Sequence, residues 1–324
     1  MTSETDVFTL EQISFAPMEG VTGRTFRKIH REFFPGTDRY YSPFLSANQN
    51  HHFKHRDKKE FIPYEPDLIP QIMASKPEDF IWAAKTIADE GYNEVNLNLG
   101  CPVATVVTKK KGAGLLADTE ALLRLLDGIF TADDMPAVSA KTRIGFTDPS
   151  EAGQLGEIYA RFPFSEIIIH PRIRADFYKN KPDLKAFNNM KEKLSCRICY
   201  NGDINTPEDA KNICRMFPDI HRIMIGRGLV ANPALAREIR MKEQQKPYKG
   251  LTEKELSDYL KALWNAYSEI YSGERDVLFK MKEMWSYLGA LFPDASKELD
   301  KVRKSKNAEE YREHVKRILS TGRS

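Results

Sequence analysis

The sequence predicts an α/β chain: a (β/α)8 TIM barrel followed by a smaller all-helical C-terminal domain. Three observations carry this. Short apolar or β-branched runs recur roughly every 25–35 residues. Each is followed by a segment with helical period, the pattern of successive βα units and a parallel sheet. The strand pattern then stops, and only helical periodicity continues to the end. Eight such units in about 240 residues is the size of one barrel. The competing doubly wound sheet lacks its fingerprint, since no G-x-G-x-x-G follows the first strand.

In chain order, the strands are expected at 13–18, 39–43, 68–73, 94–100, 137–145, 166–171, 197–203 and 222–228. "SKPEDFIWAAKTIADEGY" reads as a helix with Pro77 in the first turn and Phe80, Ala84, Ile87 and Ala88 as its apolar stripe. "NTPEDAKNICRMF" repeats that start, with Thr206 as N-cap and Pro207 next. "MKEQQKPYKG" reads as a linker, so residues 1–245 form the catalytic barrel and 251–324 the helical domain. Within the latter, "TEKELSDYLKALWNAYSEIYSG", "RDVLFKMKEMWSYLGALF" and "NAEEYREHVKRILSTG" all space apolar residues by three and four.

Composition narrows the class. With 41% hydrophobic and 29% charged residues, the chain can bury a large core. No basic and apolar leader opens it, and no window reaches the ~18 apolar residues of a membrane span. We therefore expect a cytoplasmic protein without membrane association. Four cysteines suit a reducing compartment. "CRIC" at 196–199 has the spacing of half a zinc site, but no second pair follows, so no metal is expected. "HHFKH" sets His51 and His55 on one helical face among charged neighbours, which reads as solvated surface. Net charge is only +3, so a nucleic-acid surface requires local placement of charge.

Polar residues cluster where the strands end, the face from which barrels build their sites. Met18 and Glu19, Gln71, Asn98 and Cys101, Lys141 and Arg143, His170, Asn201 and Asp203, and Gly226 and Arg227 all fall there. One such residue has a structural explanation; clusters on seven strands point to a ligand, because buried Lys, Arg and His are costly without a partner. Lys141 and Arg143 share strand parity and face one way. Strands seven and eight end in "NGD" and "GRG", where glycines admit a ligand close to the backbone and Arg227 offers a fork for phosphate. The economical expectation is a phosphorylated cofactor.

"FAPMEGVTGRTFR", "NLNLGCP", "KTRIGF", "IIIHPR", "YNGD" and "IMIGRG" resemble, in order and spacing, the tRNA-dihydrouridine synthases. The resemblance covers roughly 13–240, and the helical remainder is similar to that family's tRNA-binding domain. Strand six departs with "HPR" for the common "HGR", and Gly23 stands where Asp or Asn is usual. The resemblance implies an FMN enzyme that takes reducing equivalents from NADPH and reduces specific tRNA uridines to dihydrouridine. It implies that Cys101 donates the proton to carbon five. A thiol with a pKa near 8.5 is protonated at neutral pH, as a general acid must be. By the same resemblance Pro17 and Met18 line the flavin ring, Gln71 and Lys141 meet its pyrimidine edge, and His170 and Asn98 orient flavin or uracil. Asn201, Gly202, Asp203, Gly226 and Arg227 hold the ribityl chain and phosphate. Arg143 faces the base or buttresses Lys141, and "VTKKKGAG" folds over the substrate as a lid.

For RNA, residues 297–324 carry nine Lys or Arg against five Asp or Glu. Lys280, Lys316 and Arg317 are the expected phosphate contacts, with Lys109, Lys110 and Lys111 beside the catalytic loop. A monomer is expected. Two rivals remain: an FMN barrel of the dihydroorotate dehydrogenase type acting on a small pyrimidine, which needs no basic helical appendage, and a non-catalytic RNA-binding barrel, which needs neither Cys101 nor Lys141.

Overall fold

A computed structural model describes residues 8–247 and 250–322. The strands are β1 (Gln12–Phe15), β2 (Arg39–Tyr41), β3 (Leu45–Ser46), β4 (Leu68–Ile69), β5 (Gln71–Met73), β6 (Glu94–Leu99), β7 (Ala137–Gly145), β8 (Glu166–Ile173), β9 (Arg197–Tyr200) and β10 (Arg222–Ile225). All pair in parallel, in the order β3-β5-β6-β7-β8-β9-β10-β1-β2-β4.

Ten segments make eight barrel staves because the second and third staves are each broken in two. Proline cannot donate to a ladder. At Pro70 the third stave is divided: β4 pairs with β2, β5 pairs with both β3 and β6, and the Pro70 carbonyl still accepts from Asn96 N–H at 3.0 Å. That one stave, touching both neighbours, closes the ring. The sixth stave runs two residues beyond expectation, to Ile173, and its pairing with β7 shifts register between Arg143 and Gly145, beside Pro171.

Inside the ring, Ala16, Tyr41, Ile69, Ile168, Cys199 and Met224 form a small cluster of their own. Cys199 is thus a packing residue, and Cys196 lies in the outer layer. At the floor, where strands begin, charged groups are cross-linked. Arg39 donates to Glu94 at 2.7 Å, and Arg222 to Glu166 at 3.3 Å and Gln12 at 2.8 Å. Tyr41 Oη donates to Glu166 at 3.2 Å.

The helix starts match the sequence. Pro77–Ala88 has Pro at its first position, and Pro207–Met216 opens with a capping box between Thr206 and Asp209. The first of these buries Ala83 on its stripe rather than Ala88. His51 and His55 do not share a helical face: only His55–Lys58 is helical, and His51 takes a left-handed φ of 46° with its ring stacked on Trp82 at 5.3 Å.

Beyond the linker, of which Tyr248 and Lys249 lie outside the described residues, come helices Glu253–Ile270, Glu274–Leu288, Ser296–Lys304 and Ala308–Ser320. Their apolar stripes join the barrel's outer core in one continuous cluster from Phe8 to Ile318. Tyr259 meets Phe33 and Phe34 edge-on, with centroids at 5.8 and 5.1 Å. No helix among the described residues is long and apolar enough to cross a membrane.

Candidate active site

Two adjoining cavities open at the C-terminal ends of the strands. The larger, about 280 Å3, is lined by Met18, Gln71, Asn98, Cys101, Lys141, Arg143 and His170, among others. The smaller, about 60 Å3, continues past Asn201, Gly202, Asp203, Gly226 and Arg227. Pro17, Met18, Lys141, His170, Tyr178 and Arg227 border both. The strand-end set thus converges as expected, but several members have different roles.

Cys101 follows β6 on a turn held from three sides. Asn98 Oδ1 accepts from the Gly100 and Cys101 amides at 3.2 and 3.0 Å, and the Cys101 carbonyl accepts from Ala113 N–H at 3.0 Å. Arg143 Nε donates to the Gly100 carbonyl at 2.9 Å. Gly112, at a φ of 55°, is required here: a Cβ would come 3.0 Å from the Cys101 carbonyl and 3.1 Å from its Cβ. Lys111 reaches the Ala47 carbonyl at 2.8 Å, so the "VTKKKGAG" segment is tied down on both sides rather than forming a free lid. Burial pushes the Cys101 thiol above its usual range, and Arg143 and Lys141 only partly oppose this. The group is a thiol at neutral pH.

Behind Cys101 runs a relay of amides. Asn98 donates to Gln71 Oε1 at 2.6 Å, Gln71 to Asn96 at 2.7 Å, and Asn96 to Ser139 at 3.0 Å. Asn98 and Gln71 are therefore oriented before any ligand arrives. Arg143, fully buried, also donates to the Ile173 and Phe177 carbonyls at 2.9 and 3.0 Å. It clamps the Gly100 turn to the loop at 173–177, with no hydrogen bond to Lys141 among the described residues.

Lys141 is the exception to this pairing. It has no hydrogen bond or ion pair among the described residues, and burial, then the Arg143 charge, lower its pKa to about 7. His170 is held far below the usual histidine range by burial and by Lys141, Arg143, Arg172 and Arg227. Arg172 Nη1 can only donate, so His170 Nε2, 3.1 Å away, accepts, and the neutral ring keeps its proton on Nδ1. Asp203 is gripped by Arg172 through two oxygens, at 3.0 and 2.5 Å, and by Arg227 at 2.6 Å. It organises cations more than it offers a free carboxylate. Gly228 must be glycine, because a Cβ would lie 2.1 Å from the Ile204 carbonyl.

Among the residues that escape the sequence reading are Arg172, which stands behind the lining and holds His170 and Asp203, and Tyr287 and Tyr178 within it. Arg172 shares strand parity with His170, a signal that was available. Tyr287 lies seven residues after Lys280, on the same helical face, and closes the larger cavity from the helical bundle. Tyr178, on a loop, has no periodicity to betray it; its ring sits 4.6 Å from the Arg227 guanidinium and 5.7 Å from that of Arg143. Lys280 bonds the Gly20 carbonyl at 2.6 Å beside the mouth. Lys316 and Arg317 are exposed and away from it: Lys316 lines a groove with Trp264 and Tyr311, and Arg317 pairs with Glu313.

Comparison with known proteins agrees with this geometry. Residues 14–320 match the family model of dihydrouridine synthases. The tRNA-dihydrouridine synthase B of Proteus vulgaris is 30% identical over 230 residues, covering 69% of each chain. The tRNA-dihydrouridine(16) synthase of Pseudomonas syringae is 29% identical over 265 residues, covering 79% of this chain and 83% of that protein. That of Neisseria meningitidis serogroup A is 24% identical over 324 residues, covering 95% and 94%. Among solved structures, histamine dehydrogenase from Rhizobium shares the fold at a TM-score of 0.54 and 12% identity, covering 72% of this chain and 46% of that one. Morphinone reductase in complex with tetrahydroNAD does so at 0.51 and 12%, covering 76% and 93%.

Proposed function

This chain belongs to the dihydrouridine synthase family, and we propose that it reduces uridines of tRNA to 5,6-dihydrouridine with FMN as resident cofactor and NADPH as reductant. The observation that carries this reading is the unpartnered Lys141 ammonium in one cavity with a protonated Cys101.

The residues fit FMN. One wall runs from apolar Met18 and cationic Lys141 to Arg227 and the glycine turns at 202 and 226–228. Such a wall suits an acceptor-bearing ring at one end and an anion at the other. Among the described residues the hydrogen-bond partner of Arg227 is Asp203, which leaves guanidinium N–H groups for phosphate. Bound there and reduced by NADPH, FMN would supply the hydride for carbon six of the uracil. Lys141 would neutralise negative charge on the ring edge, and its own low pKa would rise as it did so. Cys101 Sγ–H would deliver the proton to carbon five, and Asn98 would hold the turn that aims it. Arg143 would keep the roof of the cavity closed through its three carbonyl contacts.

The dihydroorotate dehydrogenase alternative is disfavoured because Tyr287 of the helical bundle forms part of the cavity wall. The test is direct: heat-released supernatant should contain FMN by mass, and unmodified tRNA should reoxidise the reduced protein. Release of FAD, or indifference to tRNA, would overturn the proposal.

A further inference from the structure

Uracil presents acceptor, donor, acceptor along its pairing edge: O4, N3–H and O2. An enzyme that takes a base out of folded RNA reads it on that edge. The cavity around Cys101 is rich in donors: the Lys141 ammonium, the His170 Nδ1–H, and the remaining amide and guanidinium N–H groups of Asn98 and Arg143. Uncommitted acceptors are scarce. Asn98 Oδ1 already serves two amides, and Gln71 Oε1 accepts from Asn98.

Glu19 is the single carboxylate lining this cavity. It stands where the cavity meets a second cleft of about 580 Å3, open to solvent on one side and crowded by protein on the others. Acids around it are engaged: Asp57 with Arg56 at 3.3 Å, Glu60 with Arg27 at 2.8 Å, Glu283 with Lys280 at 3.6 Å, and Asp203 with two arginines. Glu19 has no hydrogen bond or ion pair among the described residues. Burial pushes its carboxyl up, against the nearby charges of Arg56 and Lys280 and with those of Glu60 and Asp57. Exposed at the cavity mouth and without a protein donor, this carboxylate is open to a ligand N–H.

We propose that Glu19 accepts the N3–H of the target base and thereby separates uracil from cytosine. Cytosine carries a lone pair at N3, which a carboxylate repels, so the same contact selects and rejects. This rests on the reading of the chain as a uridine reductase for tRNA.

The test uses ligated tRNA bearing either uridine or 3-methyluridine at the position the wild-type enzyme reduces. Glu19→Ala should lower kcat/KM on uridine by about 10- to 100-fold, the range for one hydrogen bond to a charged group. NADPH-dependent flavin reduction should hold its rate. Wild type should discriminate strongly against 3-methyluridine, and Glu19→Ala should lose most of that discrimination. Glu19→Gln, which keeps an acceptor oxygen, should fall between them. An unchanged uridine to 3-methyluridine ratio in Glu19→Ala overturns the proposal, as does a parallel loss of flavin reduction, which would make Glu19 a loop-shaping residue. If wild type reduces neither tRNA, the functional reading fails instead. The ratio of binding constants for the two tRNAs, measured for wild type and Glu19→Ala, then still decides whether Glu19 touches N3.

Discussion

The two ends of the barrel are built from the same strands and both gather charges, yet they treat them oppositely. At the floor each named cation meets an acid: Arg39 with Glu94, and Arg222 with Glu166. At the mouth Lys141, Arg143, Arg172 and Arg227 crowd around neutral His170, with Asp203 shared between two of them and Glu19 unpaired. Burial alone therefore marks neither end as functional. The difference lies in whether the charges are satisfied internally, which fits the division of barrels into a stabilising base and a reactive top.

Three experiments separate the two ends, and a fourth tests the helical tail. The largest effect is expected from Cys101→Ala: turnover on tRNA should fall by about 10²–10⁴-fold, the usual contribution of a general acid, with NADPH-dependent flavin reduction retained. In wild type, because burial raises the thiol pKa, the alkaline limb of that turnover should lie above the ordinary thiol range. A limb below about pH 8.5 would remove Cys101 from the role.

Next, Glu166→Ala leaves Arg222 with only the exposed Glu11 as acid and the buried Tyr41 hydroxyl without its acceptor, and should cost about 1–3 kcal/mol of stability, seen as a lowered Tm, while FMN still binds. Lys141→Met should do the reverse, leaving the flavin-free protein as stable or more so and abolishing flavin retention. Equal destabilisation by both would erase the distinction between floor and mouth.

A smaller effect concerns pH. Lys141 has a folded pKa of about 7, depressed from the usual lysine range near 10.5. The folded state thus binds fewer protons than the unfolded state between those values. Stability of the flavin-free protein should rise with pH across that window, by at most about 1.4 kcal/mol per unit from this group. Below pH 7 both states are protonated and the full penalty stands. Unfolding midpoints in denaturant at pH 7 and pH 9 should differ less in Lys141→Met than in wild type; an equal difference would show that Lys141 is not the source.

The smallest effect lies far from either end. Reversing Lys316 and Arg317 to Glu should weaken binding to all tRNAs alike and lower the salt slope by about one per lost phosphate contact. An unchanged slope would confine those charges to the solvated groove beside Trp264, and would leave the exposed Lys109 and Lys110 as the next candidates.

The eight staves were legible because parallel strands buried on both faces read as apolar runs, and the mouth was legible because polar residues interrupt those runs at their ends. What spacing could not convey was commitment. Arg143 and Asp203 line the strand-end cavities, but only packing reveals that three carbonyls occupy the first and two guanidiniums the second. Tyr178 stayed hidden because loops carry no period. The split at Pro70 was hidden too, since a proline within an apolar run does not announce which neighbour each half will pair with.

The seam between barrel and bundle bears on engineering. With Tyr259 set against Phe33 and Phe34, and Tyr287 reaching the strand-end cavity, the helical tail is not an interchangeable module. A chimera that exchanged tails between relatives would bring a foreign face against helix Arg24–Phe33. Each mismatched aromatic contact forfeits about 0.5–1.5 kcal/mol beyond its lost burial. Grafts that carry Phe33 and Phe34 along with the tail should fold, and those cut at the linker should express poorly.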